Sequence, residues 1–424
     1  MFTRRHFVKQ LSALAATRMV AASGAGLLAT RAQAGAGVHW RMPDEGDKQV
    51  RAFIAFGAQP AIWKDFTPAV QAALGRIARA IAAYQPVTVF CRAHEMALAR
   101  RHCGTDNTTF LAAELDDIWM RDIGANFLVD GQGGLTGMDF NFNGWGEKQD
   151  HDADALVAAR MAKEARARHV RSELVGEGGG IEVDGRGTGI MTESSWINRN
   201  RNPDWSRADV EAELKLCLGL RKIIWLPGIK GRDITDAHVD FYARFVRPGV
   251  VLANLDMDPD SYDYDLTRRH LDILKTATDA DGNRLQLHTV SPPLNPRPSV
   301  FQDDNPDFAA GYINYFVING AVIAPEFGDR EADAKAREVL QALYPDRAVV
   351  QLDIDAIASG GGGDPLRHAP AAGGVAAPCT APRDGAVVRR GVPWCVTRGD
   401  AARSAVVSDR PGTGCRNNRP AGRS

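Results

Sequence analysis

The chain has 424 residues, 44% of them hydrophobic, and a formal net charge of −1. That is ample for a sizeable core, in one large domain or two ordinary ones. The near-neutral balance argues against a nucleic-acid or membrane-surface protein.

Residues 1–34 read as a targeting segment. Thr3-Arg4-Arg5-His6-Phe7-Val8-Lys9 is a twin-arginine pattern, followed by a weakly hydrophobic, Ala-rich stretch. Ala32-Gln33-Ala34 then supplies a small-x-small cleavage site. Arg18 interrupts a stretch already short for a bilayer, so stable membrane insertion is not expected. The expected location is periplasmic or secreted, reached through the twin-arginine export machinery. The six cysteines contain no C-x-x-C spacing, so no zinc ribbon or thioredoxin motif is indicated. In an exported chain Cys91 and Cys103 are open to pairing, which spacing alone does not decide.

The body, about 38–363, alternates strand-like and helix-like segments. Arg51–Phe56 reads as a strand, and Phe66–Tyr84 has helical periodicity ending before Pro86. Val87–Phe90 is a β-branched strand, and Phe127–Val129 runs into an Asp130-Gly131 turn. An Ala-rich helix is predicted over 154–167, and strands over Lys222–Leu226 and Val250–Ala253. Next come a helix over Leu266–Thr276 and a strand over Leu285–Val290. Tyr312–Ile318 and Ala321–Ala324 flank Asn319-Gly320, which predicts a type I′ hairpin. Asp329–Leu343 is an amphipathic helix, and Ala348–Leu352 closes the series. A strand–helix–strand unit recurs, and no linker divides the body, which implies one α/β domain.

Four segments concentrate polar residues: Glu114–Gly124, Glu177–Gly185, Asp233–Asp240 and Gly311–Tyr315. A His238-x-Asp240 pair in an extended run would put both side chains on one face. A histidine beside a carboxylate suits general acid–base work. Further acids with Trp119 suit a planar cation, because carboxylates accept a guanidinium fork and a ring covers it. Gly178–Gly180 would allow close backbone approach. Each feature alone also has a structural reading: an ion pair, a solvated acidic face, a turn, a core tryptophan. No third ligand at metal spacing accompanies His238 and Asp240.

In order, the features resemble one family. Asp117-x-Trp119-x-Arg121-Asp122-x-Gly124, Glu177-Gly178-Gly179, Thr192-Glu193 and Asn198-x-Asn200-Arg201-Asn202-Pro203 come first. His238-Val239-Asp240 and Arg247-Pro248-Gly249-Val250 follow, with Arg41-Met42-Pro43 and Phe327-Gly328-Asp329 at the ends. The set is similar to the agmatine deiminase and bacterial peptidylarginine deiminase family, over about 40–363. The resemblance implies a pentein: a five-bladed, pseudo-symmetric α/β propeller with its site at the axis. It implies hydrolysis of a guanidino group, on agmatine or on free or peptide-bound arginine, to the ureido product and ammonia, without cofactor or metal. By carry-over, Asp122 and Asp240 grip the guanidinium, Glu177 partners the histidine and His238 is the acid–base. Trp119 lines the substrate channel, and Asn314 is a further substrate-binding position.

The family's nucleophile is a cysteine in an Ile-His-Cys sequence after a glycine-rich strand end. Here Ser359-Gly360-Gly361-Gly362-Gly363 runs into Asp364-Pro365-Leu366-Arg367-His368-Ala369-Pro370. Residues 364–424 contain no Lys, Glu, Gln, Ile, Phe, Tyr or Met. Codons for residues 364–371 of the form GAY-CCN-CTN-CGN-CAY-GCN-CCN-GCN, read one base later, allow Ile-His-Cys-Ala-Thr-His-Gln. The expectation is therefore an out-of-frame tail after Gly363, disordered and lacking the thiolate, with the last blade incomplete. The alternative is a guanidinium-binding protein that has lost its chemistry, ending in a genuine Pro/Gly/Arg tail.

Overall fold

The computed structural model describes residues 39–302, 305, 308–361 and 395–398, the last four through their backbone. The predicted targeting segment and most of the predicted tail lie outside these residues.

Five sheets share one plan. Strands β4 (Asn126–Val129), β5 (Leu135–Asp139) and β6 (Arg168–Arg171) form the first three-stranded sheet, with β4 antiparallel and β6 parallel to β5. The helix Val157–Glu164 makes the crossover between β5 and β6. The same order recurs in three more sheets. These are β7 (Glu182–Val183), β8 (Thr188–Thr192) and β9 (Lys222–Leu226); β10 (Ala243–Arg247), β11 (Val250–Asn254) and β12 (Gln286–Val290); and β13 (Phe316–Ile318), β14 (Ala321–Glu326) and β15 (Ala348–Asp353). Their crossover helices are Arg207–Leu218, Asp263–Thr276 and Arg330–Leu343.

The remaining sheet begins with β1 (Gln49–Phe56), β2 (Val87–Cys91) and β3 (Thr108–Ala112), all parallel. Its antiparallel position beside β1 is held by β16, Cys395–Arg398, from the far end of the chain. A segment of the predicted tail thus occupies the place where the sequence implies a missing strand.

Local chemistry explains the elements. The helix Thr67–Ala82 starts with a proline in its first turn and buries Val70, Ala73, Leu74, Ile77, Ala78 and Ile81, a 3.6-residue stripe. Gly75 lets it press on the Met96–Cys103 helix, since a Cβ there would lie 2.5 Å from the His102 carbonyl oxygen. Ser206 and Asp209 form a reciprocal capping box on the Arg207–Leu218 helix. Asp329 caps Arg330–Leu343.

Three sequence expectations are corrected. Tyr312–Tyr315 is not strand, and β13 begins only at Phe316. The 319–320 turn is not type I′, which needs positive φ at both residues: only Gly320 has it, at 77°. Asn319 instead pairs across sheets, its amide accepting from Gln49 N at 3.0 Å and donating to Gln49 O at 2.8 Å. The helix predicted over 154–167 opens as a 3₁₀ turn, Asp154–Leu156, and its α-helical part ends at Glu164, with Arg166 left-handed at φ 54°.

Candidate active site

The polar segments precede the first strand of successive sheets. Asp122 lies in a short helix, Met120–Ile123, just before β4. Glu177 leads into the 3₁₀ turn Gly178–Gly180 before β7. His238 leads into another, Val239–Phe241, before β10. Asn314 stands two residues before β13. One position in a repeated unit therefore delivers each candidate residue.

Asp122, His238 and Asp240, two residues after His238, converge on Gly179. A Cβ there would lie 2.5 Å from His238 Nδ1, 2.7 Å from Asp122 Oδ1 and 2.9 Å from Asp240 Oδ2. Only glycine leaves that space open. Gly178 is equally confined, because its Cβ would lie 2.1 Å from the Arg121 carbonyl oxygen. The Gly179 N–H donates to Asp122 Oδ1 at 2.9 Å, and the Trp145 indole N–H donates to Asp122 Oδ2 at 2.9 Å.

His238 is 1% exposed. Its Nε2 is 3.0 Å from Glu177 Oε2, and its Nδ1 is 3.7 Å from Asp122 Oδ1. Burial pushes the imidazolium towards the neutral form, but Asp122, then Glu177 and Asp240, outweigh it and hold its pKa up at about 9. His238 is therefore a cation at neutral pH, with Nε2–H donating to Glu177. Burial would raise the Glu177 carboxyl. The Arg201 guanidinium and His238 reverse this and keep it below the usual range.

Arg201 backs the pair. Its buried Nε donates to Glu177 Oε1 at 2.8 Å, its Nη1 to Asp236 Oδ2 at 2.6 Å and its Nη2 to the Thr235 carbonyl at 3.1 Å. Asp236 and Ala237, immediately before His238, are both left-handed, at φ 61° and 66°. Such non-glycine residues cost roughly 1–2 kcal/mol each. The loop is held by Asp233, whose carboxylate accepts from Thr235 N at 2.7 Å and Ala237 N at 3.0 Å. Ser194 Oγ and Thr192 Oγ1 donate to the Asp236 and Ala237 carbonyls, each at 2.6 Å. These bonds fix the backbone just before His238. The pair does not alternate on a strand as the sequence predicts; a 3₁₀ turn brings both side chains to the same point.

Asp240 differs from its neighbours. It is buried, and its Oδ1 has no hydrogen-bond partner. Desolvation raises its pKa to about 6, with His238 opposing and Asp122 adding to the rise. Trp119 is buried, stacked on Trp63 at 6.1 Å, and donates to Asp117 Oδ2 at 2.8 Å. Asn314 is not brought into the Gly179 cluster by any described contact. It lines a small crevice with Ile77, Ile323 and Leu352, and its Nδ2 is buried without a partner.

The body cysteines lie elsewhere. Cys91 and Cys103 are buried free thiols, not a disulfide, and Cys217 packs by Ser172 and Glu213. Burial raises all three, Cys103 and Cys217 to about 12. None is an activated thiolate.

Sequence reasoning gave no role to Arg201, Asp236 or Trp145. Arg201 stood inside a quoted motif, and Gly144-Trp145-Gly146 is a visible signal, a tryptophan between two glycines.

The site thus sets a buried His–carboxylate pair and two further carboxylates around one glycine, in a fold of five like-built sheets. The sequence profile of the Porphyromonas-type peptidyl-arginine deiminase family matches residues 41–364. The agmatine deiminase of Pseudomonas aeruginosa is 35% identical over 342 residues, covering 76% of this chain and 93% of that protein. That of Medicago truncatula is 34% identical, covering 74% and 91%. The solved structure of the Enterococcus faecalis agmatine deiminase superposes with a TM-score of 0.72 at 29% identity, covering 77% of this chain and 94% of that one. This chain belongs to the Porphyromonas-type peptidyl-arginine deiminase family.

Proposed function

We propose that this chain carries the substrate-gripping and acid–base parts of a guanidino-group hydrolase, and that the chain as it stands lacks the nucleophile. The observation that supports this most is the convergence of His238, Asp122 and Asp240 on Gly179, with Asp240 Oδ1 unpartnered. A guanidinium offers five donors in a planar fork and stays charged. It would complete Asp240 and relieve its repulsion with Asp122.

In the complete reaction a thiolate attacks the guanidinium carbon. His238 enters protonated and gives its proton to the departing amine, which leaves as ammonia. The neutral imidazole then takes a proton from water. The hydroxide formed adds to the thiouronium carbon; the carbon–sulfur bond then breaks to return the thiolate, and the hydroxyl proton passes to the released ammonia or solvent, leaving the ureido product. Glu177 orients the ring throughout, and Trp119 lines the approach.

The missing thiolate has an inferred place. Candidate residues enter before β4, β7, β10 and β13, and the corresponding strand of the first sheet is β16. We read the five like sheets as a five-bladed pentein and the residues after Gly363 as out of frame. The hidden Ile-His-Cys frame would put a cysteine codon across Leu366 and Arg367, just after the four glycines. The second reading, a non-catalytic guanidinium-binding protein, is favoured by the same lack of a thiolate. Agmatine and free or peptidyl arginine remain the substrate candidates, and twin-arginine export to the periplasm or medium is the inferred route.

Resequencing across the glycine codons tests the frame, and an intact frame with no Ile-His-Cys reading overturns it. Calorimetry on the chain as it stands should show agmatine or arginine binding without ammonia release.

A further inference from the structure

Residues 143–148 form a turn that the proposed chemistry leaves without a role. Gly144, Trp145, Gly146 and Glu147 have successive φ values of 67°, 57°, 87° and 63°, one left-handed turn. Two non-glycine residues there are strained, and such strain persists only where the surroundings over-determine it. They do so here. Asn143 O accepts from Glu147 N at 2.8 Å, and Asn143 Oδ1 accepts from Gly146 N at 2.8 Å. Asn143 Nδ2 donates to Asn200 O at 3.1 Å. A Cβ on Gly144 would lie 2.2 Å from the Gln149 carbonyl oxygen, and one on Gly146 2.3 Å from Asn200 Nδ2.

The turn reaches both walls of the site. Trp145 is 1% exposed, sits edge-on to Phe142 with centroids 4.9 Å apart, and donates its indole N–H to Asp122 Oδ2 at 2.9 Å. Three residues on, Lys148 Nζ donates to Asp236 Oδ2 at 2.8 Å and to the Asp233 and Ile234 carbonyls at 3.3 and 3.0 Å. Asp236 belongs to the loop that carries His238.

We propose that the 143–148 turn is a spacer for the guanidinium site, with Trp145 as a positioning residue that fixes the Asp122 carboxylate and Lys148 fixing the His238 loop. This rests on the guanidinium-site reading for its purpose, but its geometry is testable separately.

The test follows the His238 imidazole by NMR titration in the full chain. The charged groups facing that ring are Asp122, Glu177 and Asp240, and Asp233 beneath the loop also interacts with it. Trp145→Phe keeps an aromatic plane and removes the donor. It should let Asp122 swing and lower the His238 midpoint by about half a pH unit or more. Combined with Asp122→Asn, it should lower the midpoint no further than Asp122→Asn alone. Asn143→Ala, which loosens the turn but keeps the indole, should move the midpoint the same way by less, and serves if Trp145→Phe does not fold. An unchanged midpoint, or an equal fall on the Asp122→Asn background, overturns the proposal. Agmatine calorimetry on the same samples separates the two ideas. A wild-type chain that binds no agmatine counts against the guanidinium reading, while the titration still decides the turn.

Discussion

The two walls of the site are built on opposite rules. On the His238 side the carboxylates are answered: Glu177 by Arg201 and His238, and Asp236 by Arg201 and Lys148. On the Asp240 side a buried carboxylate oxygen has no partner, and burial lifts the acid to about 6. The first wall is made to hold one geometry, and the second keeps one buried acceptor open, where the proposed guanidinium would bind. A closed network rigidifies, whereas an unsatisfied buried acid stores affinity for what completes it.

The sharpest way to break the contrast is to remove Arg201. Arg201→Met takes one cationic partner from each of two buried carboxylates and should cost about 3–5 kcal/mol in urea unfolding. A loss under about 1 kcal/mol would mean that the closed wall is not what holds this region. Asp240→Asn tests the open wall and should do the reverse. Stability should hold or rise, while agmatine affinity falls about 10- to 150-fold, the worth of a charged hydrogen bond. Gly179→Ala should also weaken agmatine binding, by at least about tenfold, because its methyl takes the point where both walls meet. Full affinity in that variant would place the ligand elsewhere.

The two raised pKa values act on stability with the same sign, in different pH windows, while ligand binding should run the other way. His238 is raised from 6.5 to about 9, so its stabilising contribution is complete below 6.5 and is lost as pH rises through 9. Asp240 is raised from 3.8 to about 6, so its folded form prefers the proton, and its cost to stability fades as pH falls from about 6 towards 4. Guanidinium binding needs Asp240 ionised and should strengthen as pH rises through 6. Thermal melts and calorimetry across pH 4–10 check both signs. The smallest effect expected is from Thr192→Ala, which removes one bond to the Ala237 carbonyl and should cost about 1 kcal/mol.

Much of this was legible in the sequence where local chemistry and tertiary structure agree. The 67–82 helix and strands β2, β9 and β11 carry their periodicity openly, and Asp122, Glu177, His238 and Asp240 stand in segments of unusual polarity. Legibility failed where tertiary contacts set the backbone. His238-Val239-Asp240 alternates like a strand, yet Asp233 holds the Thr235 and Ala237 N–H groups just before it and Thr235 Oγ1 accepts from the His238 N–H. Nothing local marks Asp236 and Ala237 as left-handed, since neither is glycine. Asn319-Gly320 reads as a type I′ turn until Asn319 bonds to β1, which is remote in sequence. Arg201 shows its role only once Glu177 and Asp236 flank it.

The measurement that bears most directly on the account is ammonia release from agmatine and arginine by two proteins side by side. One is the chain as it stands, and the other has the reading frame restored after Gly363. The restored protein should release ammonia and form the ureido product, while the present chain binds the same compounds without turnover. A restored protein that releases none from any guanidino compound, or a present chain that matches its rate, would contradict the account.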